Sequence, residues 1–155
     1  MSILLNDITL FNNYCASNNI KGFVRLNGTS DVDWQKLKIN STTLFESFPN
    51  ITFYDYTKDF NKKSKFNNYD LTYSRSEVTK DTSIISKVKS GVNVAVVFDK
   101  LPSLWNGLEV VNGDLSDLRP LDRKGVVVGL VAKGSAKKDD SGFVVKTNRI
   151  NTHQV

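Results

Sequence analysis

Apolar residues recur every three or four positions at the start of the chain and in shorter, denser runs further on. This change of period divides the chain into elements. Leu4, Ile8, Phe11 and Cys15 share one helical face between Ser2 and Asn19, which predicts an amphipathic helix ending at Asn18-Asn19. A strand follows at residues 22–27. "TTLFESFP" gives one or two helical turns stopped by Pro49, and "NITFYDYT" is a second strand, rich in β-branched and aromatic residues. "YDLTYSRS" is a third. Residues 79–90 place Ile84, Ile85 and Val88 on one helical face with Gly91 as the stop, and "NVAVVFD" is apolar through Phe98, as a strand covered on both faces is.

Strand, helix, strand, helix, strand implies parallel strands joined by crossovers. Beyond Asp99 the pattern becomes more β-rich: "LPSLWNG" reads as a turn-rich connection, "LEVVNG" as a short strand and "DLSDLRPLD" as a polar loop. "GVVVGLVAKG" and "GFVVK" are strand-like, either as two further sheet strands or as a terminal β-hairpin. With no linker and no repeat, residues 1–155 read as a single α/β domain with a mainly parallel sheet of βα units and a more β-rich C-terminal part.

Composition narrows the class. Of 155 residues, 39% are apolar and 24% charged, the balance of a globular protein. No run of about 18 apolar residues and no signal-peptide pattern occurs, so the expected location is the cytoplasm of the cell that makes the protein, without a membrane partner. Cys15 is the sole cysteine and is expected to face the core, which excludes an intramolecular disulfide or a cysteine-cluster metal site. The sole histidine, His153, lies close to the C-terminus, so a Ser-His-Asp triad or a histidine zinc site is not expected, nor is a cofactor.

The net charge of +5 and a pI near 9.3 favour an anionic partner. Lys58, Lys62, Lys63 and Lys65 crowd into "KDFNKKSK", and a second lysine group falls in "AKGSAKKDD". Such loops are usually solvated surface.

Ligands of parallel α/β sheets bind at the carboxyl ends of strands. Three strands here end alike, in "RLNGTSD", "YDYTK" and "YSRSE", each with charge and hydroxyl or amide groups. The candidate ligand-binding residues are therefore Arg25, Asn27, Thr29, Asp31, Tyr54, Tyr56, Lys58, Ser74, Arg75 and Ser76. Alternation sets Phe23, Arg25 and Asn27 against Val24 and Leu26, and Thr72, Ser74 and Ser76 against Leu71, Tyr73 and Arg75. In the second strand either Tyr54, Tyr56 and Lys58 or Phe53, Asp55 and Thr57 face the rim.

The alternative reading of the same rim is structural: a buried Arg25–Asp55 ion pair closing the sheet end, with Ser74 and Thr29 capping helices. Neither GxGxxG nor GxxxxGK[ST] occurs. Asp114 and Asp117 in "GDLSD" offer hard-cation oxygens without calcium-loop spacing. Asp31, Asp55 and Glu77 are acid-base candidates with nothing to pair them, so catalysis is not expected. Trp34 and Trp105 read as packing residues.

Taken in order, "VRLNGTSD", "FPNITFYDYTK", "NYDLTYSRSE", "GVNVAVVFD", "VVNGDLSDLRPLD" and "GVVVGLVAKGSAKKDDSGFV" resemble a family of bacteriophage proteins, those similar to the mycobacteriophage gene-88 product. The resemblance spans residues 20–146. It implies a phage or prophage origin and an α/β fold like an incomplete TIM-type barrel. Longer members carry a cysteine-rich segment, suited to a metal or iron-sulfur cluster, ahead of the region matching this chain. The chain reads as a shortened form without it, since Cys15 alone cannot hold such a cluster.

Three functions stay open. The first is a non-catalytic phage accessory protein that binds a host macromolecule, for example a defence factor. The second is a domain that binds or acts on a small anionic ligand such as a nucleotide, with Arg25, Lys58 and Arg75 on phosphate, Tyr54 or Tyr56 stacking a base, and Asn27, Ser74 and Ser76 reading polar edges. The third is single-stranded nucleic-acid binding through Lys62, Lys63 and Lys65, with Phe60 and Phe66 as stacking platforms. An uncovered sheet edge would make a homodimer useful in any of them.

Overall fold

The computed structural model describes residues 2–28 and 30–148. The chain divides into two compact units, the first taking in Met1–Asp55 and Lys62–Leu71, the second Tyr56–Asn61 and the chain from Thr72 onward. It is mixed α/β, with seven strands paired mainly in parallel. Among the described residues no helix is long and apolar enough to cross a membrane.

In the first unit, α1 (Ser2–Ser17) turns Ile8 and Cys15 into the core. Strand β1 (Gly22–Arg25) pairs in parallel with β2 (Ile51–Thr57), from Gly22 opposite Ile51 to Arg25 opposite Tyr54. Between them sits α2 (Leu44–Ser47), a single turn. It persists because Thr43 and Glu46 form a reciprocal cap: the Thr43 hydroxyl accepts from the Glu46 backbone N–H, and the Glu46 carboxylate accepts from the Thr43 backbone. The turn buries Leu44 and Phe45. Phe45 meets Phe53 edge-on at 5.3 Å and stacks on Phe66 at 4.8 Å, so aromatic packing ties the turn to the strand and to the lysine-rich loop.

One polar side chain holds this unit's core together. The Asn68 amide donates to the carbonyls of Phe45, Phe48 and Ile51 at 3.0, 3.1 and 3.2 Å. An amide nitrogen has two hydrogens, so the three carbonyls, from α2 and the entry to β2, share them.

The second unit's core gathers Tyr73, Ile84, Val88, Val94, Val96, Phe98, Trp105, Leu108 and Val127. Strand β3 (Tyr69–Ser74) leads through α3 (Asp81–Lys89) to β4 (Val94–Phe98), parallel to it. Then β5 (Leu104–Trp105) and β6 (Leu108–Asn112) form a hairpin, and β7 (Val127–Val131) lies parallel to both β4 and β6. The turn is Asn106-Gly107, both at positive φ (50° and 74°), the conformation a two-residue hairpin requires. "LPSLWNG" was expected as connection alone; its last four residues make the hairpin instead.

"GFVVK" becomes neither a further strand nor a hairpin. Val145 makes an isolated parallel bridge to Phe98, and Asp99 accepts from the Thr147 backbone and hydroxyl, both at 2.9 Å. Strand pairing has two ends, since β1 pairs with β2 alone and β5 with β6 alone, so the strands do not close into a barrel.

Asn68→Ala should destabilise the protein by about 2 kcal/mol, and Asn68→Asp by more, because acceptors would then face three acceptors. Denaturant unfolding of both variants checks the order; equal stability of the two would contradict it.

Candidate functional site

At the carboxyl ends of β1 and β2 the first unit buries a carboxylate. Asp55 is 1% exposed, in a strand that also buries Ile51, Phe53 and Tyr54. Its Oδ1 accepts the Asn27 backbone N–H at 2.6 Å; its Oδ2 accepts the Tyr69 hydroxyl at 2.9 Å and the Asn27 amide at 3.2 Å. Asn27 is the hub. Its Oδ1 takes donors from the Ser30 hydroxyl, the Val32 backbone and the Trp34 indole, and its Nδ2 also donates to the Val32 carbonyl at 3.0 Å. The polar stretch after β1 therefore folds back over the strand ends as a self-bonded cap.

Burial holds the Asp55 carboxyl above the ordinary carboxylate range, against the Asn27 and Tyr69 donors and the charges of Lys62 and Arg25. Burial, and then the charge of Asp55, pushes the Tyr69 hydroxyl upward. Near them Asp33 is held low, chiefly by Lys36 at 3.0 Å, with Lys62 at 3.7 Å.

These contacts redistribute the expected ligand residues of this unit. Asn27 is engaged within the fold, and Tyr54 is buried, with no face for a base. Arg25 and Asp31 are exposed, and Thr29 and His153 lie outside the described residues. Arg25, expected to be buried with Asp55, is at the surface; neutral donors bond the Asp55 carboxylate, and the charge of Arg25 acts on it as well. In β2 it is Phe53, Asp55 and Thr57 that are buried together.

In the second unit the Arg75 guanidinium is engaged by groups of the fold itself. Its Nη1 donates to the carbonyls of Gly142 and Phe143 at 2.7 and 3.0 Å, and its Nε lies 3.8 Å from Asp81. The segment that follows is tied down further by Asp139, whose carboxylate accepts from the Ser141 hydroxyl and the Val144 backbone. A cleft of about 610 Å³ lies here, with Arg75 and Lys146 facing Asp81, Asp139 and Asp140 above Trp105. Carboxylates outnumber cations in it, so it is poorly suited to phosphate. Ser76 bonds Thr79 through backbone and hydroxyl, shaping the entry to α3; Ser74 and Tyr56 are half-buried and Lys58 exposed.

The segment between β6 and β7 contains a feature the pattern did not reveal. Arg119 is 1% exposed and lies under its own loop, donating to the carbonyls of Gly113 and Ser116 and pairing with Asp122 at 3.3 Å. A Cβ at Gly113 would come within 2.7 Å of the guanidinium, so only glycine leaves room for it. Asp114 fastens the loop to the Val131 backbone at 2.9 Å and to the Lys133 ammonium at 2.6 Å. On this frame Leu115, Leu118 and Leu121 are 82, 36 and 64% exposed.

The stacking platforms expected beside the lysines are in the cores. Phe60 packs on Tyr73 at 5.4 Å in the second unit, and Phe66 on Phe45 in the first.

Because the folded state holds the Asp55 proton more tightly than the unfolded chain, that contribution to stability is complete in acid and is lost as pH rises through the folded value. Tyr69→Phe removes a donor that favours the carboxylate. Its destabilisation should be larger at about pH 8 than at about pH 4, by roughly 1 kcal/mol. Unfolding curves at the two pH values test this, and a pH-independent cost would contradict it.

No curated protein and no solved structure matches the chain. A family model, Gene product 88, matches residues 1–147, a wider span than the six resembling segments. The match covers nearly the whole chain, and the protein is a member of the Gene product 88 family of bacteriophage proteins.

Proposed function

We propose that this chain is a phage accessory protein that acts by binding a host protein, such as a defence factor, in the cytoplasm of the host and without a chemical step. The observation that supports this reading is the leucine loop of the second unit. Three leucines at three-residue spacing face solvent on a loop whose own arginine, aspartate and glycine hold its shape. Removing a fully exposed leucine from water is worth about 1.5–3 kcal/mol; Leu115 and Leu121 can contribute most of that each and Leu118, at 36% exposure, a smaller share, so together they can anchor an interface.

A small anionic ligand is less well supported, because Arg75 is already bonded to Gly142 and Phe143 and the cleft beside it is acidic. The incomplete TIM-type barrel fits as an ancestral scaffold: β1-α2-β2 and β3-α3-β4 are both parallel units with a helix between, the succession a barrel repeats.

The test compares wild type with Leu115→Ser/Leu118→Ser/Leu121→Ser. A host protein identified by cross-linking and then purified should bind wild type and lose about 100-fold or more in affinity for the variant, at unchanged melting temperature. Equal affinity for both would contradict the reading. So would a wild-type homodimer that the variant converts to monomer, since the leucines would then cover one another.

A further inference from the structure

The lysine-rich loop of the first unit is not a loose solvated run. Gln35 clamps it at two points: its Nε2 donates to the Lys63 carbonyl at 3.1 Å, and its Oε1 accepts the Lys65 backbone N–H at 2.7 Å. This amide acts as a peptide group would, fastening residues 63–65 to the 3-10 turn Trp34–Lys36. Ser64 closes the loop on itself through the Phe66 carbonyl and backbone N–H, and the Phe66 ring lies on Phe45. Asp33 draws Lys36 and Lys62 in from both segments.

The result is an array of Lys36, Lys62, Lys63 and Lys65 on a clamped backbone, in which Asp33 pairs with Lys36 and Lys62. The side chain of Lys62 is 20% exposed and that of Lys36 76%. Lys63 and Lys65 are exposed, and among the described residues neither ammonium lies against a carboxylate. Clamping the backbone lowers the entropy lost when these charges meet a partner.

We infer that this face binds double-stranded nucleic acid through its phosphate backbone. Lysines are compact point charges that suit a row of phosphates, and the absence of arginine from the array argues against bidentate recognition of one group. The duplex is favoured over a single strand because the nearby aromatics are engaged by the fold: Phe66 stacks on Phe45, and Trp34 packs against the first unit's core. Contacts of this kind position a protein on the duplex without reading sequence.

The full chain is titrated by fluorescence anisotropy against a labelled duplex of about 20 base pairs over a range of salt. Wild type should bind with log affinity falling linearly in log salt, with a slope near −3, and Lys63→Glu/Lys65→Glu should weaken binding by about tenfold or more and flatten the slope by about two. Lys137→Glu/Lys138→Glu, an equal change of net charge on exposed lysines of the second unit, should bind like wild type. Circular dichroism confirms that both variants are folded. The inference is overturned if wild type shows no salt-dependent binding, if the two charge variants lose affinity equally, or if a single strand of the same length binds more tightly than the duplex. Tighter binding to polyglutamate than to the duplex also overturns it and assigns the face to an acidic protein.

Discussion

A carboxylate buried inside a sheet must be met by donors, and in the first unit that requirement shapes everything at the strand ends. Asp55 is removed from water at a cost of several kcal/mol unless its oxygens are bonded. Two of its three donors come from one residue, Asn27, whose remaining polar atoms then collect Ser30, Val32 and Trp34. The conformation of residues 27–34 follows from satisfying Asp55. The turn that this sets at Trp34–Lys36 places Gln35 where it can hold the lysine loop.

The second unit repeats the principle with the opposite charge. Arg119 is buried and bonded to carbonyls of its own loop, and Arg75 to carbonyls of the segment after Asp139. In both units several groups that resemble ligand-binding chemistry, Asn27, Arg75 and Ser76 among them, are engaged in holding loops in place. What remains outward is different in kind: exposed leucines in one unit and clamped lysines in the other.

The periodicity of the chain located α1, α3 and strands β1 to β4 because each buries one repeating face, and local chemistry such as Gly91 marked an end. Asn106-Gly107 was equally legible as a hairpin signal, but a β5 of two residues is too short to show alternation. The polar strand ends were visible as composition; their roles were not. Whether Asn27 faces a ligand or Asp55 depends on a partner 28 positions away, and the same separation hides the Gln35–Lys63 bond. Asp55 itself carried a signal, a charge inside an apolar strand, and the pairing expected for it was the nearest cation rather than neutral donors. Phe60 and Phe66 stood among lysines in the chain and so resembled stacking platforms, although their contacts are with Tyr73 and Phe45. The exposure of Leu115, Leu118 and Leu121 was hidden because a buried arginine is not predictable from a polar-looking loop.

The most direct test of this account is native-state hydrogen exchange of two backbone amides, those of Asn27 and Val32, which donate to side-chain acceptors in a segment with no regular secondary structure. If Asp55 and Asn27 hold the strand ends as described, both protons should exchange only through opening events close in free energy to global unfolding. Exchange at the rate of an open loop would contradict the account, and would return the polar strand ends to the role of an unfilled binding site.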